Sequence, residues 1–258
     1  MVVLALALIT CLVKHFFKAM KKIIVSTIVA LFAITSFTSK GEILTSRSFY
    51  KEGPRMTWFV RGGVSLNMVG GDYVKYWKDK DRSFGMKPGF DISAGFERFF
   101  GKKNLYWGLE LGIGTRGFSA KYEKEYTDWV EGKEVKGTDT YKASLSNINV
   151  KLPIFIGYCH PIGEHMKIDA HVGPYVSYDF TKSAKDDDGN VFGGYGDSFK
   201  YNHADVVGVD AGAAVGLGFW YDHFLIDVTY QKGFIETVNY GGEKGTASHL
   251  LIRIGYGF

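Results

Sequence analysis

The sequence predicts an all-β fold, a closed antiparallel eight-stranded transmembrane β-barrel with short periplasmic turns and long extracellular loops, and three observations predict it. From about residue 57 onward, strand-length stretches carry an apolar side chain at every second position, the period of a sheet with two unlike faces. The links between them alternate: those at 100–104, 159–165 and 221–223 are short, and those at 69–88, 119–142, 181–205 and 235–247 are long. Outer-membrane barrels sort their connections in this way, and a β-sandwich has no reason to. Finally, 33 glycines and 16% aromatic residues accompany only 5 prolines, a composition that suits strands and not a low-complexity or collagen-like chain.

The chain opens on two apolar runs, VVLALALITCLV at 2–13 and IIVSTIVALFAI at 23–34, each short of the roughly 20 residues of a transmembrane helix. The second has the grammar of a secretory signal. Met20, Lys21 and Lys22 form a positive n-region, 23–34 is the apolar core, and Ser39 and Gly41 are small residues at the spacing signal peptidases read. Cleavage is expected between Gly41 and Glu42, with Ser36 and Thr38 marking a second site. Either Met20 is the true start or the leader is unusually long. Cys11 follows Thr10, a poor residue before a lipidated cysteine, and no basic residue precedes its run. The expected organisation is a leader over 1–41, a short periplasmic segment over 42–56 and the barrel over 57–258. Beyond the leader only Cys159 remains, so no intramolecular disulfide staples the fold.

The first strand-like stretch, 58–68, sets Trp58, Val60, Val64, Leu66 and Met68 against Arg61, Gly63, Ser65 and Asn67. In 90–97, Phe90, Ile92, Ala94 and Phe96 oppose Asp91, Ser93, Gly95 and Glu97. In 105–118, Leu105, Trp107, Leu109, Leu111 and Ile113 oppose Gly108, Glu110, Gly112, Gly114 and Arg116. That stretch contains GIGTRG, a match to the dinucleotide-binding pattern. Its glycines merely continue the alternation, and Glu110 stands where a parallel Rossmann strand is continuously apolar. The following SAKYEKEYTDWVEGKEVKG has no helical stripe, and only Glu131 and Glu134 fall near the position of a ribose-binding acid.

The pattern recurs downstream. Ile148, Val150, Leu152, Ile154, Ile156 and Tyr158 oppose Asn147, Asn149, Lys151, Pro153, Phe155 and Gly157. The next stretch opposes Met166, Ile168, Val172, Val176 and Tyr178 to Lys167, Asp169, His171, Tyr175, Ser177 and Asp179. In 207–219 the glycines and Asp210 face away from Val209, Val215, Leu217 and Phe219. In 224–234, Phe224, Ile226, Val228, Tyr230 and Phe234 oppose Asp227, Thr229, Gln231 and Gly233. The last stretch, SHLLIRIGYGF, sets Leu250, Ile252, Ile254, Tyr256 and Phe258 against His249, Arg253, Gly255 and Gly257.

With about eight strands the interior is just wide enough to be filled by side chains, and closure leaves no unpaired backbone edge for lipid to meet. The charges expected inside are Arg61, Arg116, Lys151, Lys167 and Arg253 against Asp91, Glu97, Glu110, Asp169, Asp179, Asp210 and Asp227. Breaking one such buried pair costs about 3–5 kcal/mol, so these groups are expected to hold the plug together rather than perform chemistry. Two aromatic girdles are expected: Trp58, Phe99, Phe100, Trp107, Tyr158, Trp220, Phe224 and Phe258 at the periplasmic end, and Phe118, Tyr178, Phe180 and Phe234 at the outer end.

The stretch INVKLPIFIGY at 148–158, with its L-P-x-x-x-x-Y spacing, and the terminal GYGF resemble strands of the PorT-like outer-membrane β-barrel proteins of Bacteroidota. Small OmpA/OmpX-type barrels share the architecture without the sequence. The PorT-like resemblance spans about 57–258 and implies insertion into the bacterial outer membrane by the outer-membrane assembly machinery, which reads a closing strand ending in an aromatic, here Phe258 with Tyr256. It also implies a link to protein secretion, although no residue here carries that role.

The loops are the expected binding surface, for an extracellular or periplasmic protein partner, while outer-membrane lipid surrounds the wall. Trp129 is read as a loop-packing aromatic and DDDGN at 186–190 as a polar turn, since an EF-hand register would start on Ala184. The rival class is a lipid-modifying enzyme, an acyl hydrolase or acyltransferase, with His249 and Ser65 across the seam between last and first strands, or Asp169 beside His171. Asp169, His171 and Ser177 form no triad along one strand, because six residues at roughly 3.3 Å each part the serine and histidine by about 20 Å. No serine sits in a G-x-S-x-G elbow, and His160, His165, His203 and His223 lack metal-ligand spacing. A soluble secreted β-sandwich binding protein is the second alternative. Five of the 31 basic residues, Lys14, Lys18, Lys21, Lys22 and Lys40, lie in the leader, leaving 26 against 27 acids. The barrel therefore has no nucleic-acid footprint, and neither a cofactor nor a metal nor an enzymatic step is expected.

Overall fold

The computed structural model describes residues 56–78, 82–100, 104–130, 133–185, 191–194, 198–201 and 204–258. The leader, with Gly41 and Glu42, lies outside the described residues, as do DDDGN at 186–190 and the side chain of Trp129.

Eight antiparallel strands close on themselves. They are β1 (Met56–Gly71), β3 (Lys87–Phe99), β4 (Leu105–Val130), β5 (Lys133–Pro161), β6 (Met166–Lys185), β10 (Val209–Tyr221), β11 (Phe224–Tyr240) and β12 (Glu243–Gly257). Around the cylinder the order is β10, β6, β5, β4, β3, β1, β12, β11, and β11 returns to β10. First and last strands form the seam: Trp58 N–H donates to Phe258 O at 3.0 Å, and Phe258 N–H to Trp58 O at 2.8 Å. Four short strands, β2 (Arg82–Gly85), β7 (Val191–Gly194), β8 (Ser198–Tyr201) and β9 (Ala204–Val207), extend the sheet at one end only.

The strand-length alternation sorts most wall positions. On β10, Asp210, Gly212, Ala214, Gly216, Gly218 and Trp220 are buried, whereas Val215 and Leu217 are 53% and 62% exposed. The glycines of GIGTRG follow the same rule. A Cβ on Gly112 would stand 2.9 Å from Lys151 Cε, and one on Gly114 would stand 2.9 Å from Asp91 Oδ2. These glycines make room for charged neighbours inside the barrel, not for a nucleotide.

The two ends differ. At one, β3–β4, β5–β6 and β10–β11 turn within a few residues, and the last turn places Asp222 at φ 51°, a left-handed conformation that aspartate tolerates. At the other, two of the expected long loops are mostly strand. β4 and β5 pair from Leu105↔Tyr158 out to Val130↔Lys133, and β11 and β12 pair as far as Tyr240↔Glu243. Polar alternation and the absence of proline let the ladder continue past the apolar wall, and Gly241 (φ 59°) and Gly242 (φ 98°) close the second hairpin as a tight turn. The link at 69–88 holds a helix, α1 (Asp72–Lys78), too short for its period to show in the sequence.

The interior has three layers. Near the short turns, Phe59, Tyr106, Phe155, Cys159, Trp220 and Leu225 form an apolar cluster joined by Phe99. Near the long hairpins, Tyr73 of α1 packs with Phe118, Ala120, Leu145 and Val238. The charged groups lie between. Three residues expected in the girdles therefore point inward: Trp220 (0% exposed), Phe118 (3%) and Phe99. Each shares the strand parity of an interior charge, Asp210, Arg116 and Glu97 respectively, and its ring keeps water from the charged layer. Trp58 and Trp107 stay outside, flanking Phe96 at centroid distances of 5.4 and 5.2 Å.

Removing the Tyr73 ring opens the upper cluster. Tyr73→Ala is expected to cost about 3–5 kcal/mol, as for other buried aromatics, and to speed tryptic cleavage after Lys75 and Lys78 in the folded protein. Unchanged cleavage would show that the ring does not anchor α1.

Candidate functional site: the charged interior

Six strands meet in one ion network. Arg61 of β1 pairs with Glu110 of β4, and its Nη1 lies 3.0 Å from Asp227 Oδ2 of β11. Arg253 of β12 closes the same ring from the other side, with Nη1 donating to Glu110 Oε1 at 2.7 Å and Nη2 to Asp227 Oδ1 at 2.6 Å. Arg253 Nη1 also reaches Asp91 Oδ1 of β3 at 3.1 Å, and Asp91 pairs with Lys151 of β5. The six side chains are at most 6% exposed. The planar guanidinium fork suits this use, because one arginine can serve two or three carboxylates at once.

A second cluster lies toward the long hairpins. Arg116 Nη2 donates to Asp179 Oδ2 at 2.7 Å, and its Nη1 lies 3.1 Å from Asp210 Oδ2. Asn147 Nδ2 donates to Asp179 Oδ2 at 2.6 Å, and Tyr175 O–H to Asp210 Oδ2 at 2.9 Å. Toward the short turns, Asp169 accepts from Trp220 Nε1 at 3.2 Å, and the Lys167 ammonium stands 4.0 Å above the Trp220 ring. Glu97, 3% exposed, lies on β3 in register with Thr57 and Gly108. The twelve interior charges singled out in the sequence are thus distributed over one large network, the Arg116 cluster and the layer around Trp220.

Sequence reading missed the neutral partners. Thr229, Tyr175 and Asn147 look like ordinary polar wall residues, and only their inward parity hinted at a role. The Asp169–His171 pair, a candidate in the sequence, gains a third member that the sequence did not show: Asp169 Oδ1 lies 3.2 Å from His171 Nδ1, and His171 Nε2 lies 3.2 Å from Thr229 Oγ1. The Thr229 hydroxyl donates to Asp227 at 3.0 Å, and these three residues are 3%, 7% and 2% exposed. No substrate atom can approach a hydroxyl so enclosed and so committed. The other enzymatic candidate is bridged rather than direct, because His249 Nδ1 meets Asn67 Oδ1 at 2.7 Å and Asn67 Nδ2 donates to Ser65 Oγ at 3.2 Å. Among the described residues, no group of three His, Cys, Asp or Glu side chains is arranged to hold a metal.

Among the described residues, small interior cavities of about 10, 20 and 10 Å³ lie within and beside the charged layer, each with room for about one water. Tyr256 and Phe258, the expected assembly signal, both face outward at 42% and 46% exposed, and Tyr256 packs edge-on against Phe224 at 5.5 Å.

No protein-family model matches the chain, and no curated protein matches it in sequence. Solved structures similar to it include Ail, the attachment invasion locus protein of Yersinia pestis, crystallised with a heparin analogue, at 12% identity over 79% of this chain and 99% of that one, TM-score 0.34. Others are the outer membrane protein OprG of Pseudomonas aeruginosa, at 16% identity over 78% and 95%, TM-score 0.38, and the outer membrane protease OmpT of Escherichia coli, at 9% identity over 79% and 96%, TM-score 0.40.

Proposed function

We propose that the chain is a non-enzymatic barrel of a bacterial outer membrane that serves envelope structure or binds a partner through its long hairpins. One observation carries this reading: large apolar side chains are exposed on every wall strand. Val64, Ile92, Ile113, Ile154, Val172, Leu217, Ile226 and Ile254 are 43–71% exposed. A soluble monomer rarely exposes more than a few hundred Å² of contiguous apolar surface, and a belt running round a closed cylinder suits hydrocarbon. Among the described residues no helix is long and apolar enough to cross a bilayer, so the crossing falls to the strands.

The proposal extends to assembly and partners. Tyr256 and Phe258 are accessible on the closing strand, where the outer-membrane assembly machinery would read them. The PorT-like resemblance adds a link to protein secretion, with an extracellular or periplasmic protein as partner. A filled and enclosed interior supports a role in holding the barrel rather than in catalysis.

Heat-dependent gel mobility of the membrane fraction tests the reading. The folded barrel is expected to migrate differently boiled and unboiled, and identical migration would contradict it.

A further inference from the structure

Lys232 lies on β11 between Gln231 and Gly233, which are both buried inside, so its side chain leaves on the outward face, in line with Tyr230 and Phe234. Tyr230 is 40% and Phe234 68% exposed. From there the side chain crosses β12, where Nζ donates to Thr246 Oγ1 at 2.9 Å and to Ser248 Oγ at 3.2 Å. Beyond β12 stands Gly70 of β1, in register with Thr246. A Cβ there would lie 3.8 Å from Nζ, so the glycine leaves that flank of the half-buried ammonium uncovered by a side chain. Lys232 makes no ion pair among the described residues. The next acid along β11, Glu236, is engaged by Lys244 at 2.7 Å.

We propose that Lys232 and Thr246, with Ser248 holding the ammonium in place, bind the phosphate of an anionic lipid headgroup in the leaflet around the long-hairpin end of the barrel, an inference that rests on the membrane reading above. An ammonium at the rim of an apolar belt calls for a counter-charge, and here the wall supplies only neutral acceptors. Because Thr246 Oγ1 accepts from Nζ, its own hydrogen is free to donate outward, while Ser248, 6% exposed, holds the ammonium against the wall. With the third ammonium hydrogen it makes two donors around one point, a match for two oxygens of a phosphate monoester. Tyr230 and Phe234, on either side along the strand, supply the aromatic contact found at the boundary between acyl chains and headgroups.

The test uses the full chain folded in zwitterionic detergent micelles, with bound lipid read by native mass spectrometry. Lipid A is expected to bind wild type about fivefold more tightly than K232Q, the factor set by one lysine at an anionic surface. Its fully dephosphorylated form is expected to bind both alike, and K232R to behave as wild type. T246V/S248A keeps the cation, removes the hydroxyls and is expected to bind lipid A more weakly, which covers a failure of K232Q to fold. Equal lipid A binding by wild type and either defective variant would overturn the site, as would a dephosphorylated form that binds wild type as tightly as lipid A does. Inorganic phosphate that displaces lipid A at equal concentration would show a free-anion site and overturn the lipid assignment. Folding is scored first by heat-dependent mobility: a chain that never folds in micelles refutes the membrane reading, whereas a folded barrel without lipid preference refutes only this site.

Discussion

Replacing Arg253 with methionine is expected to destabilise the folded barrel by about 3–5 kcal/mol. Arg253 is 1% exposed and serves Asp227, Glu110 and Asp91 together. Methionine matches its stem in volume, so the loss is electrostatic: three buried carboxylates are left with two strong cations, Arg61 and Lys151. Unfolding by guanidinium in lipid vesicles, followed by tryptophan fluorescence, measures the change. R253M/D227N removes one of the stranded charges and is expected to recover part of the loss. An R253M midpoint equal to wild type would mean that the network does not hold the barrel.

Val215→Arg and Ile254→Arg are expected to cost about 2–4 kcal/mol each in a bilayer, the penalty for arginine on the lipid face near the midplane. Both sites are already open, at 53% and 71% exposed, so no interior contact is lost. In a soluble protein an arginine at such a position is close to neutral. The pair therefore separates the two environments by sign of argument as well as size, and a cost below the error of the unfolding measurement at both sites would count against a hydrocarbon surrounding.

Much of this fold is legible from alternation alone. Parity along each strand tells inside from outside, and from Val60 to Ile254 the apolar residues assigned outward are found there. The same parity, applied consistently, would have turned Trp220 and Phe118 inward. Aromatic residues at strand ends suit an interface equally well, so a girdle and an interior cap look alike in the sequence. The pairing inside was not legible. Arg61 meets Glu110 and Arg253 meets Asp91 across 49 and 162 residues, and such meetings depend on the stagger between strands, which no local pattern encodes. Nor was the ladder in 119–142 visible, because the apolar alternation of the sequence stops there although the backbone pairing continues.

Spin labels scanned along β12 test the central claim most directly. With labels at 249–254 in vesicles, collision with oxygen, which concentrates in hydrocarbon, is expected to be high at 250, 252 and 254 and low at 249, 251 and 253. A water-soluble nickel chelate should reach none of these positions. A flat oxygen profile, or free access of the chelate to 252 and 254, would contradict a sealed barrel with lipid on its outer wall.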